Sequence, residues 1–522
     1  MTRSRPECTH RDTTRQHNTL VTFGLGTFPI MVVLIGGSAA WGQVDRYALD
    51  NDPGEFVAAD LNHDGATDLA IATDGGVTVF LNEGDGTLAA PSTFGLPAYY
   101  IVAGDVDGDH DIDLVTQAGQ LGDTYFRVYL NNGDGDFAAP VSWSTDSRAS
   151  AIALVDIDGD KDLDYVHYAV NHYILIYANN GAGSFSFLHE EWLSTDKTYD
   201  MATGDLDGDG DVDLVAGSAW IDYGKYYTTA DVKLHVFMNQ GDGTSWTQDY
   251  YTVPPLGSDD RGPFIVKTAD LNGDSRRDIL TYSEGYNGQH GEYAINMMLN
   301  DGNGNWHWGT PSHDDKRQLF SAAVGDLDGD GTLDLVVGVD TWSAISLLMY
   351  ANAGDASFRE RSIETGTQDS AHHTQIADLT GDGLGDVIFV DFLYPESLVV
   401  VHNTLALDRP VLTCTDLVRG QPAEFTVTNL EPGDTVRYLY SLAGVGYSTG
   451  IANLGGLIVD LNEPLVKFGA ADADASGTAV LPVTVPGKAP LITAAFQAVV
   501  RQGPGGDDSV KSNFLTVPIR DQ

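Results

Sequence analysis

From residue 43 to 404 the apolar residues fall in short runs, alternating or continuous, separated by strings rich in Gly, Asn and Asp. Runs of this kind predict β-strands joined by tight turns. The second unit shows the order. A run from Tyr99 to Gly104 enters an acidic string, Leu114 to Gln117 leaves it, and an alternating strand follows from Phe126 to Leu130; a turn at Asn131 to Gly135 then precedes a return strand near Ala139 to Trp143. Comparable turns begin at Asn82 (NEGDG), Asn179 (NNGAG), Asn239 (NQGDG), Asn300 (NDGNG) and Asn352 (NAGDA). Each unit therefore predicts a four-stranded antiparallel sheet of about 50 residues.

One small sheet cannot bury both its faces, and a repeat of this length with four strands packs radially as the blades of a propeller. Seven units predict seven blades over residues 43–404. The seventh departs from the pattern: after Ser397 to His402 the chain reads Asn403, Thr404 and leaves without a return strand. Its outer strand is expected from Val44 to Leu49, so that strands from both ends of the repeat region close the ring and remove the exposed edges. From about Asp408 to Gln522 the acidic strings stop. Alternating runs at Ala423 to Thr428, Thr435 to Leu439, Thr478 to Val485, Ala494 to Val500 and Asn513 to Ile519 predict an immunoglobulin-like β-sandwich. The chain reads as all-β.

The acidic strings give the repeat its chemistry. They are DLNHDGATD from Asp60, DVDGDHDID from Asp105, DIDGDKDLD from Asp156, DLDGDGDVD from Asp205, DLNGDSRRD from Asp270, DLDGDGTLD from Asp326 and DLTGDGLGD from Asp378. Position 3 holds Asn62, Asp107, Asp158, Asp207, Asn272, Asp328 and Thr380, and position 5 holds Asp64, Asp109, Asp160, Asp209, Asp274, Asp330 and Asp382. Position 9 is always Asp: Asp68, Asp113, Asp164, Asp213, Asp278, Asp334 and Asp386. A hard cation such as calcium takes about six to eight oxygen ligands, which a short loop supplies by turning alternate side chains inward and adding a backbone carbonyl. Position 7 suits that carbonyl, because Ala66, Asp111, Asp162, Asp211, Arg276, Thr332 and Leu384 share no side-chain chemistry. A bidentate carboxylate at position 9 would close the shell. Glycines such as Gly208 and Gly210 permit the positive φ angles of a tight wrap. About seven structural calcium sites are expected, the least regular being the seventh, with Thr380, and the fifth, where Arg276 and Arg277 bring positive charge near.

Each string runs into an apolar strand, as in DLVAG (Asp213 to Gly217) and DLVVG (Asp334 to Gly338), and in this the chain resembles the FG-GAP, or VCBS, repeats of integrin α-subunit propellers and of many secreted bacterial proteins. The resemblance spans about 360 residues and implies a propeller with calcium loops. Integrin-like propellers carry such loops in only some blades. A full set is more like the bacterial group, so no integrin partnership is implied.

The formal net charge of −48 argues against nucleic-acid partners. About a third of the 75 acids lie at the four ligand positions, so a large acidic surplus remains for a solvated surface outside the cell. Of the two cysteines, Cys8 precedes the repeats and Cys414 stands alone, which leaves no disulfide after processing of the leader. Residues 1–42 carry Arg3, Arg5, Arg11 and Arg15 before an apolar run from Leu20 to about Ala40, the form of a secretory signal or a membrane anchor. Cleavage is expected after Gly42 or Ala40.

Ligand contacts are expected where loops vary. The fourth unit inserts Trp220 to Asp231, with Tyr223, Tyr226 and Tyr227; the fifth inserts Glu284 to Tyr293, with Tyr286 and His290; the sixth offers Trp342. By topology these share the face opposite the acidic loops, where flat rings beside Asp, Asn and Gln suit a sugar or a protein segment. Catalytic signatures are thin. Gly446 to Gly450 matches GxSxG without the strand-turn-helix setting of a nucleophile elbow, and His372-His373 stands just before the seventh loop. The expected function is a secreted or cell-surface, non-catalytic recognition or adhesion module for a protein or glycan. The alternative is a polysaccharide lyase using His290, Lys225 or Asp222.

Overall fold

The computed structural model describes residues 43–403 and 411–521 except 119–123, 146, 194–196, 221–230, 255–260, 287–290, 303–304, 310–311, 315–318, 328, 330, 340–344, 353–355, 357, 365–370, 393–395, 416, 429, 431–433, 443–463, 475, 487, 490–492 and 501–509. Among the described residues there is no helix, and none therefore long and apolar enough to cross a membrane.

Among the described residues, seven antiparallel sheets occupy the repeat region, each of four strands except the fifth, which has one more. Sheet 1 runs Pro53–Ala59, Asp68–Thr73, Gly76–Phe80 and Ser92–Phe94. In the second sheet the strands are Tyr100–Gly104, Asp113–Gln117, Tyr125–Tyr129 and Val141–Ser144, within two residues of the expected boundaries. The expected closure is present. Val44–Ala48 pairs antiparallel with Ser397–Val401 as the outer strand of sheet 7, Val44 opposite Val401 and Ala48 opposite Ser397. The first strands of the seven sheets lie side by side in chain order, and Ala371–Ala377 of sheet 7 meets Pro53–Ala59 of sheet 1, so the sheets form a closed, propeller-like ring.

Burial explains the strand sequences. Second strands such as Asp68–Thr73, Asp164–Ala169, Asp334–Val339 and Asp386–Asp391 are buried at every position, which is why they read as continuous apolar runs. Outer strands such as Trp246–Thr252 face water over most of their length. Each pair of neighbouring sheets shares one apolar cluster, and Phe126, Tyr165 and Leu175 join sheets 2 and 3. Phe56, Ile71, Val390 and Leu398 join sheets 7 and 1, sealing the two ends of the repeat region. Each such side chain contributes about 1.5–3 kcal/mol on burial.

The C-terminal part holds two further sheets. One contains Val411–Cys414, Pro422–Thr428 and Ala479–Thr484; the other contains Leu417–Val418, Val510–Arg520, Thr493–Val500, Thr435–Ser441 and Val466–Asp472. Phe425 from the first packs against Tyr438 and Phe496 from the second in a common core. All five expected strands are present, and Val411–Cys414, Leu417–Val418 and Val466–Asp472 are additional.

Candidate metal centres

Every acidic string forms the loop between the first and second strands of its sheet, and the loops repeat one backbone conformation. Positions 4 and 6 both have positive φ in all seven, including the non-glycine residues His63 (58°), His110 (77°), Lys161 (79°) and Ser275 (69°). This is the left-handed region that costs an ordinary residue about 1–2 kcal/mol, so the alternation of glycine between the two positions in the sequence records one demand met in two places. The wrap is held by the position 1 carboxylate. Asp105 accepts the amides of Gly108 at 2.7 Å and His110 at 3.0 Å, and Asp205 those of Gly208 at 2.7 Å and Gly210 at 3.1 Å. Asp156, Asp270 and Asp378 repeat the pattern, while Asp60 and Asp326 hold their position 6 amides. Position 5 accepts the position 7 amide in turn, as from Asp211 to Asp209 at 2.9 Å.

Among the described residues, three loops bring three carboxylates to one point. In the sets Asp105–Asp107–Asp113, Asp156–Asp158–Asp164 and Asp205–Asp207–Asp213, one oxygen from each residue lies within 4.8 Å of the others. Their chemistry fits a hard divalent ion: all donors are oxygens, and Oδ1 of Asp107 is buried without a hydrogen-bond partner. Burial, then the neighbouring Asp107 and Asp109, push the Asp113 carboxyl up to about 6, against the pull of its two backbone hydrogen bonds. Asp164, Asp213 and Asp278 are likewise lifted to about 6 by burial. Only below about pH 6 would an ion have to compete with protons at these carboxyls. The first, fifth and seventh loops have Asn62, Asn272 and Thr380 at position 3 and hence fewer charges, while Asp328 and Asp330 of the sixth lie outside the described residues.

At position 7 of five loops the side chain turns away to the third-to-fourth-strand turn of its own sheet. Asp111, Asp162 and Asp211 stand beside Gly133, Gly181 and Gly241, and Thr332 donates to the Asn352 carbonyl at 3.2 Å. Arg276 does the same, donating to the Asp301 carbonyl at 2.7 Å, and Arg277 donates to the Thr268 carbonyl at 3.0 Å. The two arginines are thus engaged outside the fifth loop.

Position 9 does more than the expected ligation. All seven of these aspartates are fully buried, and each holds two backbone amides. Asp213 accepts from Leu206 at 2.7 Å within its own loop and from Asn239 at 2.8 Å in the following turn. A cation would share oxygens already fixed by the backbone, meeting only their second lone pairs. The asparagine completes the device: Nδ2 of Asn239 donates to the Val212 carbonyl at 3.2 Å and to the Ile157 carbonyl of the preceding sheet at 2.7 Å. Asn82, Asn131, Asn179, Asn300, Asn352 and Asn403 reach back to Leu379, Leu61, Val106, Leu206, Leu271 and Leu327 in the same way. Seven asparagines therefore stitch seven loops into a circuit. In the sequence they look like ordinary turn residues; their signal is recurrence after every third strand, even at Asn403, where no turn follows.

The expected ligand aromatics fall largely beyond view. Tyr223, Tyr226, Tyr227, His290 and Trp342, with Lys225, Asp222 and the GxSxG string, lie outside the described residues. Trp220 and Tyr286 end the strands Asp213–Trp220 and Asp278–Tyr286 at the end of the ring opposite the acidic loops. On that same face the structure gathers the pair His372-His373 with rings that the sequence does not single out. Tyr99 meets Tyr100 and His373 at centroid distances of 5.0 and 5.7 Å, and His372 stacks on Phe320 at 4.3 Å and meets Phe392 at 4.7 Å. Burial pushes His373 down to about 3, so it is neutral.

Glu55 lies in the first strand of sheet 1, beside these rings. Burial among protein, followed by repulsion from Asp200, raises its carboxyl to about 8, and Lys267 offsets only part of this. A carboxyl raised on folding holds a proton that the unfolded chain releases. Wild-type stability therefore falls, relative to a Glu55→Gln variant, as pH rises from the unfolded value of about 4.5 to about 8, and the difference is constant above. The variant is expected to be more stable by about 2 kcal/mol at pH 8.5, less than the full shift because water reaches the half-buried group. Urea midpoints of both proteins at pH 4 and 8.5 check this; equal midpoints at both would refute it.

Comparisons with known proteins follow the same repeats. A model of the FG-GAP-like repeat matches residues 60–116, 118–167, 165–216 and 285–337, and a model of the FG-GAP repeat matches residues 320–356. No curated protein matches the chain. Among solved structures, one of an Agrocybe aegerita lectin, described for specific recognition of non-reducing terminal N-acetylglucosamine, is 20% identical with a TM-score of 0.42, covering 61% of this chain and 81% of that one. A triple mutant of AofleA from Arthrobotrys oligospora is 14% identical with a TM-score of 0.37, covering 62% and 90%. Likenesses at this level say nothing about a ligand. The family matches begin at Asp60 and take in five of the seven acidic loops; the chain carries FG-GAP-like repeats.

Proposed function

We propose that the chain forms a seven-bladed, calcium-stabilised propeller with a C-terminal immunoglobulin-like sandwich, exported to the cell surface or beyond, where it serves as a non-catalytic recognition or adhesion module for a protein or a glycan. The observation that carries this reading is the wiring of the recurrent acids: the aspartates at positions 1 and 9 hold backbone amides in every loop, and in three loops carboxylates meet around one point, which suits a structural ion. The nearest approach to a nucleophile and base among the described residues also supports it. Ser218 meets His235 at 2.8 Å, but the far ring nitrogen faces Gln248 at 3.1 Å in place of a carboxylate, and both Ser218 and His235 are buried.

The mature protein in calcium should bind at least one member of an array of extracellular proteins and glycans. The same glycans, incubated overnight and analysed by mass spectrometry, should remain intact. Cleavage would transfer the protein to the lyase reading.

A further inference from the structure

A cavity of about 660 Å³ opens at the face opposite the acidic loops, between the first strands of sheets 1 to 4 and the end of a strand of sheet 7. Its apolar walls include the rings of Tyr99, Tyr100, Tyr199 and Phe392, contributed by three different sheets. Its charged lining is Asp52, Asp74 and Arg148. Glu55 stands next to it, two residues along the strand from Pro53 in the cavity wall. Its backbone amide donates to the Tyr99 carbonyl at 2.7 Å, and its charge helps to raise the hydroxyl pKa of both Tyr99 and Tyr100 after burial has done most of the work.

The carboxyl of Glu55 makes no hydrogen bond or ion pair with a described residue. A carboxylate drawn out of bulk water without a partner is costly, and the nearby cations do not supply one. Lys267 pairs with Asp200 at 3.9 Å, His372 and His373 belong to the ring cluster, and Arg148 shares the cavity lining with Asp52 and Asp74. Asp52, Asp74 and Arg148 thus line a cavity walled in part by aromatic rings, whose faces attract positive charge, and Glu55 stands beside it within the fields of Asp200 and Lys267.

We propose that this cavity binds an organic ammonium group on a short apolar stem, the chemistry of a lysine side chain, with Glu55 as its counter-ion and the rings of Tyr99, Tyr100, Tyr199 and Phe392 around the stem. The proposal rests on the recognition reading only in giving that reading a site and a ligand class. It also explains why a group that lowers the stability of the free protein sits beside a cavity: its missing partner arrives with the ligand. Because the ligand needs Glu55 ionised, binding releases its proton. Affinity should therefore rise about tenfold from pH 6 to pH 7 and level off above about 8.

The test is titration calorimetry on the mature full chain in calcium, with n-butylammonium and Nα-acetyl-lysine methylamide as probes and n-butanol and glucosamine as controls. Both ammonium probes should bind saturably and butanol should not. Glu55→Gln should weaken binding by about tenfold or more, and Phe392→Leu, which removes a ring without touching the counter-ion, by several-fold. Equal binding by wild type and Glu55→Gln, equal binding of butanol and butylammonium, or binding of glucosamine alone would overturn the proposal. Array binding that Glu55→Gln leaves intact would remove this site while the recognition reading stands. Saturable ammonium binding with no partner on any array would do the reverse.

Discussion

Excess chelator is expected to lower the melting temperature of the mature protein by well over ten degrees. The physical basis is mass action: an ion bound only by the folded state stabilises it by about 2.7 kcal/mol at a hundred times its dissociation constant. The three loops whose acidic triads converge among the described residues would alone supply about 8 kcal/mol, of the order of a whole domain's stability. Removal of the ions also leaves carboxylates of one sign within 4.8 Å of one another, in a chain with net charge −48. Calorimetric melts in millimolar calcium and in excess EGTA, with elemental analysis of the dialysed protein, measure both sides. A melting curve that chelation does not move, or a metal content below about one ion per molecule, would refute the loops as calcium sites.

Replacement of Asn239 by Ala should cost about 3–5 kcal/mol, far more than a turn residue ordinarily contributes. The side chain is fully buried, donates to carbonyls of two sheets, and accepts the amides of Gly241 at 3.1 Å and Gly243 at 3.3 Å. Truncation leaves those groups buried without partners, at about 1–3 kcal/mol for each that water cannot reach. Asn239→Asp should fare no better, since a carboxylate offers only acceptors to the Ile157 and Val212 carbonyls. Gln240→Ala in the same turn is the control, expected within about 1 kcal/mol of wild type. Urea unfolding in calcium reads all three. A loss below about 1 kcal/mol for Asn239→Ala would show that the seven-fold circuit adds little to the ring.

Both predictions bear on how far this protein is legible without coordinates. Strand order, the acidic loops and the pairing of Val44–Ala48 with the seventh sheet follow from periodic strings alone, because alternation sets which face of a strand is buried and a repeat missing one strand needs another from elsewhere. The indifference of position 7 is legible in the same strings, and the structure adds that Asp111, Asp162, Asp211, Arg276 and Thr332 turn their side chains to the neighbouring turn.

Other features depend on partners far apart in the chain. The reach of Asn239 to Ile157 spans 82 residues and that of Asn82 to Leu379 spans 297, so a string that looks like a local turn is a joint between sheets. The charge of Arg276 and Arg277 looks adverse in sequence; folding aims both guanidinium groups at carbonyls outside the loop. Glu55 is an unremarked acid in one strand until closure of the ring sets it among Tyr99, Tyr100, Asp200 and Lys267. What the sequence by itself determined is the repeated unit and the acidic, oxygen-rich chemistry of its loops, since both are local and periodic. The tertiary structure alone decided how those units are joined and where an unpaired charge meets an aromatic cavity, since both are set by residues that only the closed ring brings together.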